Sequence, residues 1–163
     1  MNEPTSIGHK PASEKWEFDE SVTSCFDDML ERSIPQYRIM REAVFNIACR
    51  YAQHKTPIVD LGCARGEALA PFVNKFGVYN RHIGVETSKP MLEACRKRFA
   101  GLIDSGVVEI LEMDLRKNFP PVNPSVVLSI LTLQFIPINY RQAIVQKCFD
   151  NLLPGGCLIL VEK

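Results

Sequence analysis

The stretch IVDLGCARGEAL, Ile58 to Leu69, decides how this chain is read. It opens as a buried strand, Ile58–Leu61, and turns abruptly into a loop bracketed by Gly62 and Gly66. Glycines there reach backbone angles closed to other residues and let a ligand approach the main chain, and Ala64 between them is small enough to keep that approach open. Asp60 places a carboxylate where a buried strand is ordinarily apolar, directly before the loop. The plainer reading of the glycines is an ordinary tight strand-to-helix turn.

Downstream the pattern alternates. The spacing predicts a helix over Glu67–Phe76, a strand over His82–Glu86, and a helix over Lys89–Ile103 with Ser88 as its N-cap. A strand over Val107–Glu112 and a proline-containing loop follow. Then come a strand over Val126–Leu131, a helix over Tyr140–Leu152 and a last strand over Cys157–Glu162. The last helix carries Ile144, Val145, Cys148, Phe149 and Leu152 as one apolar stripe. Nearly all-apolar strands separated by amphipathic helices imply a parallel sheet covered on both faces. The fold class is therefore α/β, a Rossmann-like parallel five-stranded sheet flanked by helices.

Upstream, residues 1–15 read as a loose polar arm. A helix over Ser21–Arg32 presents Val22, Phe26, Met29 and Leu30 on one face. A second, about Gln36 to Gln53, spaces Tyr37, Met40, Val44, Ile47 and Tyr51 helically. The expected organisation is an N-terminal arm and helices over residues 1–55, forming a lid, and a ligand-binding core over residues 56–163.

Composition narrows the function classes. With 163 residues and 46% hydrophobic side chains, the chain can bury the core of one domain. Lys plus Arg equals Asp plus Glu at 19 each, which argues against bulk nucleic acid or an anionic membrane as partner. Arg96-Lys97-Arg98 reads as the solvated face of a helix. The six cysteines form no CxxC pair, so no metal site is expected. Free thiols and the absence of an apolar leader point to a cytoplasmic protein. The longest apolar-rich run, Val126 to Ile138, is too short to span a bilayer.

In an open parallel sheet, ligands bind beyond the carboxyl ends of the strands, where strand order reverses. Glu86 ends the second predicted strand, at the spacing of roughly 20 residues after Gly66 where a carboxylate accepts from ribose hydroxyls. Asp114, in MDLR, ends the third and borders the place an adenine would take. The dinucleotide fingerprint G-x-G-x-x-G is absent; the spacing is G-x-x-x-G, preceded by Asp60. A carboxylate at the loop entrance repels a pyrophosphate and favours a ligand carrying an ammonium and a sulfonium. Asp60 thus favours S-adenosylmethionine over NAD.

DLGCARG, Glu86 in GVETS, Asp114 in MDLR and LPGGCLILVEK, in that order, resemble the motif series of class I S-adenosylmethionine-dependent methyltransferases, over roughly Ile58 to Lys163. FDESV, DMLERSIPQY, LTLQFIP and LVEK resemble more closely the carboxy-S-adenosylmethionine synthase branch, whose product serves tRNA wobble-uridine modification. The resemblance implies that Gly62, Cys63 and Ala64 line the methionine part of the cofactor. Glu86 and Thr87 would contact ribose, and Asp114 and Leu115 would frame the adenine. Tyr37 would close over the cofactor, though helix packing explains its spacing too. Leu133-Gln134-Phe135 would form the floor. Asp60, Gly66, Met91 and Leu131 complete the candidate cofactor-binding set. That branch tends to carry Asn ahead of TLQF, where this chain has Ile130 and Leu131.

The class normally adds two further strands after the fifth, and that region supplies the branch's arginine for the cofactor's extra carboxylate. This sequence stops at Lys163, as a fragment or as a minimal variant; no residue in it is expected to take that role, and for a minimal variant a homodimer through the edge of the fifth strand is expected.

Three functions follow from the resemblance. One is an enzyme transferring a one-carbon group from S-adenosylmethionine to an unidentified acceptor. Another is an enzyme of the carboxy-S-adenosylmethionine synthase type, with prephenate as carboxyl source, serving tRNA modification. The last is a non-catalytic cofactor-binding module or fragment. No catalytic residue is assigned, because the cofactor carries the chemistry and the protein positions it. His9, His54 and His82 are scattered, and His82, opening a strand, reads as structural.

Overall fold

The computed structural model describes residues 20–163. The arm read over residues 1–15, with His9, lies outside the described residues, as do the side chains of Val22 and Cys25. Two helices come first, α1 (Glu20–Ser33) and α2 (Tyr37–Ala48). The sheet strands are β1 (Pro57–Leu61), β2 (Arg81–Glu86), β3 (Val108–Glu112), β4 (Val126–Ile130) and β5 (Cys157–Val161). Between them lie α3 (Ala70–Phe76), α4 (Lys89–Arg98), α5 (Ala100–Asp104) and α6 (Ile138–Asn151).

All four strand pairings are parallel, in the order β3-β2-β1-β4-β5. The chain winds outward from β1 to β3, then returns to the other side of β1 with β4. The reversal sits between β1 and β4, so a crevice opens above their carboxyl ends. Alternate residues serve opposite faces. Ile58 and Leu128 pack with Val44, Phe72, Leu92 and Phe99 beneath α2, α3 and α4. Val59, Leu61, Ile83 and Val127 pack with Ile144 and Cys148 of α6.

Several boundaries differ from the sequence reading. Gln36 takes a left-handed backbone (φ 55°), so α2 starts at Tyr37, and it stops at Ala48, leaving Tyr51 in a turn. Ile47 is half-exposed, and Val44 and Ala48 make the buried contacts of α2. Pro71 in the first turn delays α3 to Ala70. The helix expected over Lys89–Ile103 breaks at Phe99, whose ring is buried against the glycine loop. Ser88 occupies the N-cap position of α4 without a side-chain capping bond. Phe149 stands 74% exposed, so the apolar stripe of α6 is narrower than its spacing implied.

Candidate cofactor site

The carboxyl ends of β1, β2 and β4, the segment after β3 and the two N-terminal helices enclose one cavity of about 670 Å³. That volume suits a small-molecule ligand. Its walls are largely apolar: Met29 and Leu30 from α1, Met91 from α4, Met113 and Leu115 after β3, and Phe135 after β4.

Asp60 borders the cavity from β1 yet is 1% exposed, and its Oδ2 has no hydrogen-bond partner among the described residues. Burial pushes its pKa from 3.8 up to about 7. The positive charge of Arg41 opposes the rise, and the negative charges of Glu86 and Glu67 add to it. A buried oxygen without a donor, in a cleft with three further carboxylates, Glu67, Glu86 and Asp114, favours a cation.

The loop after β1 hangs from β2 by two backbone bonds, Gly62 and Cys63 both donating to the carbonyl of Val85 (2.8 and 2.9 Å). Gly62 has φ +76°, and a Cβ there would stand 2.4 and 2.5 Å from Cγ2 and Oγ1 of Thr132. Gly66 has φ +83°, and a Cβ there would stand 2.4 Å from Cε2 of Phe99. This refines the expectation that both glycines clear a path for a ligand. Gly62 borders the cavity, but its side-chain space is filled by Thr132. Gly66 does not border it, and packing against α4 is what requires a glycine there. Ala64 (φ 47°) and Leu131 (φ 59°) both border the cavity in left-handed backbone, which stores about 1–3 kcal/mol of strain each.

Cys63 lines the cavity but is 3% exposed; its sulfur meets the space above Gly84 and donates to the carbonyl of Ala64 at 3.9 Å. The neighbouring Cys95 thiol and burial hold its thiol well above the usual pKa, so it is a packed, un-ionised thiol. Glu86 holds the loop: Oε2 accepts from the Ala64 backbone N–H (3.0 Å), and Oε1 from those of Thr87 (2.7 Å) and Ser88 (2.9 Å). Thr87 borders the same cavity. Asp114 lies two residues beyond the end of β3, not at it. Its carboxylate takes Nε and Nη2 of Arg116 at 2.7–3.1 Å and the Arg116 backbone N–H at 3.0 Å, which lowers its pKa to about 2. Leu115 is buried beside it, Tyr37 borders the cavity from α2, and Leu131 from the end of β4.

The floor is a 3-10 turn, Leu133–Phe135. Gln134 and Phe135 face the cavity, whereas Leu133 is buried in the core beneath, contrary to its expected place in the floor. Glu162 anchors this turn, accepting from the N–H groups of Leu133 (3.0 Å) and Gln134 (2.7 Å). Sequence reasoning missed Arg41, Glu67, Arg116 and Lys163, which also border the cavity. One signal was available for Arg41: it follows Tyr37 by one helical turn, so the two share a face.

His82 is fully buried, with Nε2 3.2 Å from the carbonyl of Gly77; burial lowers its pKa. Among the described residues no group of His, Cys, Asp and Glu could hold a metal ion, and no helix is long and apolar enough to cross a membrane.

Residues 58–156 match the family described as methyltransferase domain. The chain is 39% identical over 147 residues to the carboxy-S-adenosyl-L-methionine synthase of Methylococcus capsulatus, covering 90% of this chain and 61% of that protein. It is 40% identical over 149 residues to the synthase of Glaesserella parasuis, again covering 90% and 61%. The chain thus spans about three fifths of the length of these relatives. In fold it is similar to the CcbJ methyltransferase of Streptomyces caelestis (TM-score 0.67, 23% identity, 84% of this chain and 53% of that one). It is also similar to a putative S-adenosyl-L-methionine-dependent methyltransferase of Methanococcus maripaludis (TM-score 0.61, 18% identity, 85% and 63%). A five-stranded parallel sheet with a cavity at its switch point, together with the match over residues 58–156, places this chain in the methyltransferase domain family.

Proposed function

We propose that the cavity binds S-adenosylmethionine and that the protein is a transferase moving a one-carbon group from it to a small-molecule or tRNA-pathway acceptor. One observation carries this reading: Asp60, buried and with no hydrogen-bond partner for Oδ2 among the described residues, is one of the residues lining a cavity that also receives Glu67, Glu86 and Asp114. A cationic amino-acid end supplies the donor that Oδ2 lacks, whereas a pyrophosphate would meet four carboxylates. The apolar walls suit an adenosine, with Leu115 and Met91 against the base and Glu86 and Thr87 toward the ribose. The transfer step needs the cofactor held in line with its acceptor more than it needs an acid or a base.

A second reading, carboxy-S-adenosylmethionine synthesis with prephenate as carboxyl source, is favoured by the identity of 39–40% to proteins of that name. Residues 1–55 acting as a lid over a core of residues 56–163 is part of the proposal; Met29, Leu30 and Tyr37 on the cavity support it. So is an edge-to-edge homodimer. Strand β5 pairs only with β4 among the described residues and leaves Leu160 46% exposed. Sedimentation showing a monomer at every concentration would remove the dimer. The free thiols of Cys49, Cys63, Cys95, Cys148 and Cys157 suit a reducing, cytoplasmic setting.

Calorimetric titration with S-adenosylhomocysteine and with NAD tests the cofactor. Binding of the first alone is expected; binding of NAD alone rejects the reading. Mass spectrometry after incubation with S-adenosylmethionine and prephenate separates the two transfer chemistries. An unchanged cofactor pool removes the second.

A further inference from the structure

An amino-acid end carries a carboxylate as well as an ammonium, and Asp60 answers only the ammonium. Three cationic side chains border the cavity: Arg41, Arg116 and Lys163. Arg116 is closed onto Asp114, with Nη2 to Oδ2 at 2.7 Å. Lys163 donates from Nζ to the Ser33 carbonyl at 3.1 Å. Arg41 makes no hydrogen bond or ion pair among the described residues. Its guanidinium carbon lies 5.9 Å from the centre of the Tyr37 ring, one turn earlier on α2, and its charge reaches Asp60. Arg38 on the same helix behaves differently: it forms a two-pronged pair with Glu31, both bonds 2.9 Å, at the exposed surface. Helix α2 therefore turns one arginine outward, paired, and one onto the cavity, unpaired.

A half-buried guanidinium offers five fixed donors in a fork that matches a carboxylate. A simple anion placed there would face the charges of Asp60, Glu67 and Glu86. A zwitterion does not meet that conflict, because its positive end answers the carboxylates while its negative end answers the arginine. We propose that Arg41 is the seat of the cofactor's α-carboxylate, with Asp60 receiving the neighbouring ammonium, so that α2 and β1 together read a zwitterionic amino-acid end.

This rests on the S-adenosylmethionine reading, and the test separates the two. Calorimetry is run with three ligands on the full chain and on Arg41→Gln and Arg41→Lys. S-adenosylhomocysteine has both charges, S-adenosyl-3-thiopropylamine keeps the ammonium without the carboxylate, and 5′-methylthioadenosine has neither. Wild-type protein is expected to prefer S-adenosylhomocysteine to the decarboxylated analogue by about 10-fold or more, as befits a charge-assisted bond. Arg41→Gln is expected to erase that preference while leaving 5′-methylthioadenosine affinity within about 2-fold; Arg41→Lys should restore part of it. A wild-type protein that does not distinguish the first two ligands overturns the seat, whether or not the variants fold. So does Arg41→Gln losing affinity equally for all three. Wild-type protein binding none of them removes the cofactor reading itself, and the seat with it.

Discussion

Glu86 at the end of β2 holds the backbone of Ala64 in the loop after β1, Oε2 accepting its N–H at 3.0 Å. The other oxygen takes the N–H groups of Thr87 and Ser88. One carboxylate thus fastens two neighbouring strand ends together, and it keeps Ala64 in a left-handed conformation that an alanine does not adopt unaided.

Replacing Glu86 should therefore act on loop and ligand together. Hydrogen bonds to a charged group contribute about 1.5–3 kcal/mol. Glu86→Ala is expected to weaken S-adenosylhomocysteine binding by about 10- to 100-fold and to speed amide exchange at Ala64. Glu86→Gln, which keeps one acceptor oxygen, should fall between. Unchanged exchange at Ala64 in the alanine variant would show that the carboxylate does not hold the loop.

Asp60 sets a pH dependence of definite sign. Its pKa is about 7 in the folded chain against an ordinary 3.8, so the native state holds this proton more tightly than the unfolded chain does. The group's contribution to stability is complete below pH 3.8 and is lost as pH rises through about 7. The displacement corresponds to about 4 kcal/mol as an upper figure. Asp60→Asn should be less stable than wild type at pH 5, relative to the difference at pH 8, by a few kcal/mol. His82, whose lowered pKa makes stability fall as pH drops below 6.5, is common to both proteins and cancels in that difference. Urea midpoints at the two pH values check this; a pH-independent difference would contradict it.

The same proton is linked to the ligand. A cation paired with Asp60 requires the ionised carboxylate, so affinity should rise about tenfold per pH unit below about 7 and level off above it. Binding at pH 6 should release close to one proton, read from calorimetry in buffers of different ionisation enthalpy. Asp60→Asn should flatten the profile.

Packing beneath the loop yields another test. A Cβ at Gly84 would stand 2.7 Å from Sγ of Cys63 and 2.9 Å from Cδ1 of Ile110. Gly84→Ala should cost about 1–3 kcal/mol by overpacking. Cys63→Ala removes the sulfur in the way, so the double variant should lose less than the sum of the singles by about 1 kcal/mol. Strict additivity in urea unfolding would deny that these two residues share the space.

The sheet was legible because its strands are nearly continuous apolar runs, and a run of that kind has few alternatives once helices alternate with it. Asp60, Glu86 and Asp114 were legible as neighbours of one cavity because strand ends in such a sheet point to one crevice. Periodicity reports which face a residue occupies and is silent on what lies opposite. Hence Gly66 read as a ligand approach although Phe99 fills its space, and Asp114 read as bordering an adenine with no sign that Arg116 closes on it. Arg41 and Asp60 are brought together only by the packing of α2 over β1. Phe149 fits the stripe of α6 by spacing, yet it lies at the margin of the contact with the sheet and is left in solvent.

The floor of the cavity depends on a residue outside it. Glu162 accepts from the N–H groups of Leu133 and Gln134 through separate oxygens, at 3.0 and 2.7 Å, and so fixes the 3-10 turn that brings Gln134 and Phe135 to the cavity. Glu162→Gln turns one acceptor into a donor that faces a backbone N–H. The expected result is a loss of about 1–3 kcal/mol in unfolding free energy. Weaker S-adenosylhomocysteine binding should accompany it, because the floor loosens while Asp60 and Glu86 stay in place. Affinity lost in step with the strength of the floor, with the slope of affinity against pH unchanged from wild type, identifies a positioning role. A change in that slope would instead mean that Glu162 acts on the charge of Asp60.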